Sequence, residues 1–480
     1  MMKYLLLTIT MVISMQTYAQ NVVSVTLLGT KTKAQLLAQY QIPFIQFGVN
    51  YYRVKYETPD VHGVKDTASG LLVVPDNLNK VYPRLVYQHG TVSSKTDVPS
   101  INVTTGGEGQ LGFLFGGLGY VALLPDFLGL GSARGFHPYV HAASEASASE
   151  DMLRAVATWS STHQVVTNDQ LFITGYSQGG HAAMALHRNI EKNLSAEFNV
   201  TAAAPMSGPY SIGEVMRGVI LNDAIYFYPA YIPNTVLGYE TAYGNIYNQL
   251  SDVFKPIYVP KIQQYYNGQI TLTALNTSLI SLLVQNEGSS RPFRMIQDSI
   301  IQAITNDPNH SMNVALKDNN TYTNWTPQAP TRLFYCTADD QVPYTNSLLA
   351  KDSLLAQNAV DLQIQDVLTT GNHGQCVTPA LTATILFFAS LQQVGSVNAN
   401  EADEALSFSM APNPVTDALF IQDLATECQV NIYSLNGALQ YTKLLAPGSH
   451  RIETADFAKG IHYLQVQSGT RSRVLKFLVH

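Results

Sequence analysis

Cysteine is scarce in this chain. Its three residues in 480, Cys336, Cys376 and Cys428, are too few for a disulfide-dense scaffold. Charge is scarce as well: 13% of residues are Asp, Glu, Lys or Arg against 46% hydrophobic, a balance that argues against disorder and for a folded protein. The net charge is −7 with no dense basic tract, so nucleic acid is not an expected partner. Long apolar runs are also lacking, since a transmembrane helix needs about 18 or more apolar residues and no later segment offers them. What the N-terminus does offer is Lys3, an apolar stretch from about Tyr4 to Ile13 interrupted by Thr8, Thr10 and Ser14, and Thr17-Tyr18-Ala19 before Gln20. That pattern predicts a secretory signal peptide over residues 1–19 and hence an exported protein.

The length exceeds one compact core, so two or more domains are expected. Tyr51–Tyr56 and Ala68–Val74 flank a Pro/Asp/Gly-rich turn and predict an antiparallel hairpin. Short apolar runs at Leu85–Tyr87, Tyr120–Leu124, Leu171–Thr174 and Thr201–Pro205 then read as strands buried on both faces. Between them, Met152, Ala155, Val156 and Trp159 fall on one face of a helix over Ser144–Trp159. Strands alternating with helices predict an α/β fold, a mostly parallel sheet with helices on both faces. From about 210 to 330 no strand alternation is visible, and tyrosines are frequent, which predicts an inserted helical cap. Sheet-like sequence resumes at Arg332–Tyr335 and about Asp361–Leu368, followed by a helix over Ala380–Gln392. Residues 20–394 thus form one domain, 395–406 a polar linker, and 407–480 a small β-sandwich of short strands separated by turns such as Asn436-Gly437 and Ser468-Gly469.

The chemistry is announced by Gly175-Tyr176-Ser177-Gln178-Gly179, which follows the strand at Leu171–Thr174 and precedes a small-residue helix. A G-x-S-x-G sequence between strand and helix is a nucleophile elbow, with the serine hydroxyl exposed at a tight turn. Serine is a poor nucleophile unless a base and an orienting acid assist it. In α/β-hydrolases these follow in the order serine, acid, histidine, each on a loop after a strand. Asp339 lies in such a loop, four residues before Pro343; this resembles the D-x-x-V-P acid loop of many α/β-hydrolases, and the resemblance favours Asp339 over the neighbouring Asp340. His373, in Gly371-Asn372-His373-Gly374, follows the last predicted sheet strand. The backbone N–H groups of Gln178 and Thr91 are the candidate oxyanion hole, and His89 is assigned to bracing the Thr91 loop. Cys336 and Cys376 lie three residues from Asp339 and His373 on the distal side of each loop, which predicts a disulfide between them in an oxidising compartment.

With these residues in hand, a family resemblance can be stated. Residues from about 50 to 394 resemble a secreted α/β-hydrolase of the lipase/esterase type, through Gln88–Thr91, Pro125–Gly131, His137-Pro138-Tyr139, the Ser177 elbow and the Asp339 and His373 loops. In this setting Asp126 is expected to brace the glycine-rich turn. The C-terminal region resembles the sorting domain of type IX secretion, through Pro412-Asn413-Pro414, Ile432–Gly437 and Lys476–Val479. Gly460-Ile461-His462-Tyr463 departs by one place from the family's Gly-x-Tyr. The resemblance implies a secreted or cell-surface protein that engages the type IX machinery. It also implies hydrolysis of a small-molecule or lipid carboxylic ester through an acyl-enzyme, with no metal and no organic cofactor. A serine peptidase of the prolyl-peptidase type is the alternative, with Glu240, Asp252, Glu287 or Asp298 as possible anchors for a substrate amine; a non-catalytic surface-binding protein is the third reading.

Overall fold

The computed structural model describes residues 22–104, 106–397, 406, 408–434, 437–469 and 471–479. The expected signal peptide, most of the expected linker, and Asn436 of the expected Asn436-Gly437 turn lie outside them. Among the described residues the main sheet has ten strands, nine of them on one continuous path: β1 (Val22–Lys31), β2 (Val49–Pro59), β3 (Lys65–Pro75), β4 (Lys80–Gln88), β5 (Val121–Pro125), β6 (Val166–Tyr176), β7 (Val200–Met206), β8 (Thr331–Tyr335) and β9 (Leu362–Asp366). Their order is β1-β2-β3-β5-β4-β6-β7-β8-β9. The β2–β3 pair is the predicted hairpin, in register Tyr51↔Val73 and Tyr56↔Ala68. Its turn is held by the Asp60 carboxylate, which accepts from the His62 and Val64 N–H groups. The six strands from β5 to β9 along this order are parallel neighbours.

The helices of the sheet domain are α1 (Lys33–Tyr40), α2 (Gly109–Gly117), α3 (Ala142–Ser160) and α4 (Gln178–Asn193). Alternate residues of the central strands feed two separate cores, which is why their sequences are continuous apolar runs. Leu85, Tyr87, Leu124 and Phe172 pack with Phe113 and Phe388 on one face. Val86, Leu123, Leu171 and Ile173 pack with Met152, Ala155 and Val156 of α3 on the other. Trp159 is only partly buried and lies against Tyr52, with ring centroids 5.1 Å apart.

Between β7 and β8 the chain makes a π-helical turn at Ile212–Met216 and seven α-helices: α5 (Arg217–Leu221), α6 (Tyr231–Tyr243), α7 (Leu250–Val253), α8 (Val259–Tyr266), α9 (Leu272–Glu287), α10 (Asp298–Asn306) and α11 (Ser311–Asp318). Leu237, Tyr239, Phe254, Leu275 and Leu279 form their common core. Tyr239 and Tyr258 thus pack inside the cap, whereas Tyr226 and Tyr231 face the cavity described below.

After β8 come α12 (Thr345–Ala356), β9 and α13 (His373–Ala389). The sequence placed the last helix at Ala380–Gln392; it begins seven residues earlier, because Asn372 and Gln375 form a capping box. The chain then returns to the sheet. Gly395 and Ser396 form β10 (Gly395–Ser396), antiparallel to Val81 and Lys80, so the first two residues of the predicted linker are sheet residues. The C-terminal strands β11 (Ser409–Ala411), β12 (Ala418–Leu424), β13 (Cys428–Ser434), β14 (Leu439–Leu445), β15 (Gly448–Glu453), β16 (Gly460–Ser468) and β17 (Arg471–Val479) make sheets of three and four strands. Leu419, Ile421, Val430, Ile432, Leu464 and Phe477 share their core, a small β-sandwich.

Candidate active site

Ser177 sits between β6 and α4 with φ 61° and ψ −122°, a backbone conformation that costs an L-residue about 1–3 kcal/mol. The turn is held by its surroundings. A Cβ on Gly179 would lie 1.9 Å from the Gln88 carbonyl oxygen, and one on Gly175 would lie 2.3 Å from the Gly179 oxygen. The Ser177 N–H donates to the Met206 carbonyl at 3.0 Å, tying the elbow to the end of β7.

Asp339 and His373 meet across the strand ends. His373 Nδ1 lies 2.7 Å from Asp339 Oδ2. The other carboxylate oxygen accepts from the Gln341 and Val342 N–H groups, both at 2.9 Å, which fixes the plane of the carboxylate. The His373 and Asp339 side chains are 8% and 1% exposed, respectively. The backbone of His373 is held as well: its N–H donates to Asp340 Oδ1 and its carbonyl accepts from the Tyr176 hydroxyl at 2.6 Å. Asp340 therefore belongs to the framework of this loop. Behind it, Cys336 and Cys376 are joined in the expected disulfide, with Cα atoms 5.9 Å apart and both residues fully buried.

On the other side of Ser177 runs the loop after β4. A side chain at Gly90 would come within 3.7 Å of Ser177 Cβ. The Gly90 N–H donates to Glu108 Oε1 at 3.0 Å, and the Tyr87 hydroxyl donates to Glu108 Oε2 at 2.7 Å. Burial pushes the Glu108 carboxyl above its usual range. Thr91 Oγ1 pairs with the Tyr139 hydroxyl at 2.8 Å. Among the described residues, neither the Thr91 N–H nor the Gln178 N–H has an acceptor. His89 is turned away, its ring nitrogens against the Gly90 and Asp126 carbonyls and its ring on Phe127. Asp126 accepts from the Ser69 and Ser100 hydroxyls and the Ser100 N–H.

A narrow apolar cavity of about 50 Å³ opens on Ser177, walled by Tyr139, Ile212, Met216, Tyr231 and Leu316 among others. None of the four acidic cap residues considered as amine anchors lines it. Glu240 accepts from the Ile246 and Tyr247 N–H groups, Asp252 caps α7, and Asp298 pairs with Lys255.

Three residues near the elbow escaped the sequence reading as functional groups. Glu145 of α3 accepts from Gln178 Nε2 at 3.0 Å and contacts His181 Nδ1 at 2.7 Å. His137 accepts the other Gln178 amide hydrogen at Nε2, because its Nδ1 faces the Leu128 carbonyl. Burial lowers its pKa to about 4 and keeps it neutral. The available signal was Glu145 itself, an acidic side chain on the buried face of an alanine- and serine-rich helix.

Residues 113–388 match the secretory lipase family, and residues 409–480 match the secretion system C-terminal sorting domain. Comparison with curated protein sequences returns no match. Among solved structures, the rice cell wall degrading esterase LipA from Xanthomonas oryzae is 26% identical, with a TM-score of 0.67 over 76% of this chain and 95% of LipA. A protein from Legionella pneumophila is 25% identical, with a TM-score of 0.68 over 80% of this chain and all of its own. Candida antarctica lipase A shares the fold, at 14% identity and a TM-score of 0.57 over 77% of this chain and 81% of the lipase. The chain belongs to the secretory lipase family: it is a secreted ester hydrolase that carries a type IX sorting domain at its C-terminus.

Proposed function

We propose that this hydrolase cleaves carboxylic esters through Ser177, His373 and Asp339 by way of an acyl-enzyme. The observation that carries the reading is the 2.7 Å contact of His373 Nδ1 with an Asp339 carboxylate whose other oxygen is already filled by two N–H donors. Nδ1 then donates to Asp339, which leaves Nε2 as the base. Ser177 Oγ attacks the ester carbonyl as Nε2 takes its proton. The N–H groups of Thr91 and Gln178 hold the oxyanion, each worth about 3–4 kcal/mol in the transition state. His373 protonates the leaving alcohol, and water repeats the sequence to free the acid. The apolar walls at Ile212, Met216 and Leu316 suit an acyl chain.

Turnover of p-nitrophenyl acetate, butyrate and palmitate beside a Pro-p-nitroanilide tests the reading. Ester turnover that Ser177→Ala abolishes in folded protein is expected. Amide cleavage outpacing ester cleavage, or substantial turnover by Ser177→Ala, would overturn it.

A further inference from the structure

Glu145 of α3 and His181, in the first turn of α4 that begins at Gln178, are both fully buried. His181 Nε2 lies 2.9 Å from the Asn319 carbonyl oxygen, which can only accept, so Nε2 carries a proton. Its Nδ1 lies 2.7 Å from Glu145 Oε2. A bare ring lone pair facing a carboxylate lone pair at that distance is repulsive, so a second proton occupies this hydrogen bond. On whichever atom that proton rests, the pair sums to zero charge. Glu145 Oε1 accepts from Gln178 Nε2, and neutral His137 accepts the remaining amide hydrogen. The Gln178 side chain is therefore pinned at two points by groups that carry no net charge.

This matters beside an oxyanion. An uncompensated carboxylate beneath the elbow would oppose the negative charge that develops on the substrate, and buried charges are poorly screened. We infer that Glu145 and His181 are positioning residues for ester hydrolysis, a charge-compensated pair that aims the Gln178 N–H at the carbonyl oxygen without repelling the oxyanion. The inference rests on the proposed role of Ser177 and of the Gln178 amide. It separates geometry, supplied by the hydrogen bonds to Gln178, from electrostatics, supplied by the neutrality of the pair.

Four variants read the two parts apart. In Glu145→Gln, the amide oxygen can accept from Gln178 while the amide nitrogen donates to His181 Nδ1, so every hydrogen bond survives with no charge on either partner. His181→Gln instead takes away the proton shared with Glu145, so that an ionised Glu145 is uncompensated although Gln178 still donates to it, and His181→Asn is the second variant of that kind. Glu145→Gln/His181→Gln removes the charge again. On p-nitrophenyl butyrate, with sites counted by a p-nitrophenyl phosphonate, His181→Gln should lower kcat by about 100-fold with KM within threefold. Glu145→Gln should lose less than about fivefold, and the double variant should recover about tenfold over His181→Gln. A kcat per titrated site unchanged in His181→Gln and His181→Asn would overturn the inference. So would a double variant no better than His181→Gln, or a loss confined to KM or to the count of folded sites. If Ser177→Ala keeps activity, the triad reading itself fails; if it is inactive while the His181 variants are normal, only this inference fails.

Discussion

The disulfide closes the two loops that carry the proposed acid and base, and its removal can be worked out in advance. Cys336 and Cys376 are 40 residues apart, so the chain-entropy relation gives about 13 cal/mol/K, or about 4 kcal/mol at 25 °C, from the denatured state alone. Truncating two fully buried sulfurs in Cys336→Ala/Cys376→Ala adds roughly 1–2 kcal/mol of lost packing. For a domain of roughly 370 residues, with an unfolding entropy near 2.1 cal/mol/K per residue, the entropic part corresponds to a fall in Tm of about 5 °C. The active site should suffer less than the fold. His373 keeps its backbone bonds to Asp340 and Tyr176, and Asp339 keeps its two N–H donors, none of which involves sulfur. A kcat loss below about tenfold at 25 °C is therefore expected.

The assay is thermal unfolding with and without a phosphine reductant, for the native chain and for Cys336→Ala/Cys376→Ala, with p-nitrophenyl butyrate turnover measured alongside. The reductant should lower the Tm of the native chain and leave that of the double variant unchanged. Cys428 is a buried free thiol of the C-terminal sandwich, so it offers the reductant no second disulfide. The reasoning is refuted if the double variant unfolds at the native temperature. It is also refuted if the reductant shifts both proteins equally, because the stabilisation would then come from elsewhere.

Other expectations follow from single contacts. Ser177→Gly should abolish ester turnover yet raise stability by about 1 kcal/mol in urea titrations, because glycine accepts φ 61° and ψ −122° without strain. Gly179→Ala should fail to accumulate as soluble folded protein, since its Cβ would sit 1.9 Å from the Gln88 oxygen. Glu150 is buried against Asn189, and burial pushes its pKa from 4.5 up to about 7. A carboxyl raised in the folded state stabilises fully below 4.5 and loses that contribution as pH rises through 7. Glu150→Gln should therefore gain about 2–3 kcal/mol over the native chain by pH 8 and nothing below pH 4.5, as read from urea midpoints. Glu108→Leu strips the acceptor from the Gly90 N–H and should cut kcat by more than tenfold, whereas Glu108→Gln, which keeps an oxygen there, should retain most of it.

The parallel sheet was legible because its central strands are buried on both faces, so Leu85–Tyr87 and Leu171–Thr174 had to be unbroken apolar runs. The hairpin was legible from its turn residues. β1 was not: it lies at the sheet edge with Val23 and Leu27 about half exposed, and an edge strand packed on one side carries no such run. The start of α13 was misread for a related reason. Gly371, Gly374 and Pro379 are poor helix formers, and the Asn372–Gln375 capping box outweighs them only in the folded chain.

Within the site, legibility follows the backbone. Ser177, Asp339 and His373 are displayed at turns after strands, and a turn constrains sequence locally, through Gly175 and Gly179 or through the spacing of Asp339 and Pro343. Glu145 and His181 are different. Each sits on a helix whose local pattern tolerates almost any small or apolar residue, and their meaning arises only when α3 and α4 bring together side chains 36 positions apart. Local patterns cannot encode such a pair, but burial energetics can flag it. A carboxylate with 0% exposure survives only with partners that supply protons or positive charge. In a chain with 13% charged residues, each buried one is therefore a question about what sits opposite. For Glu145 the structure answers with His181 and Gln178, which places the compensation directly under the elbow.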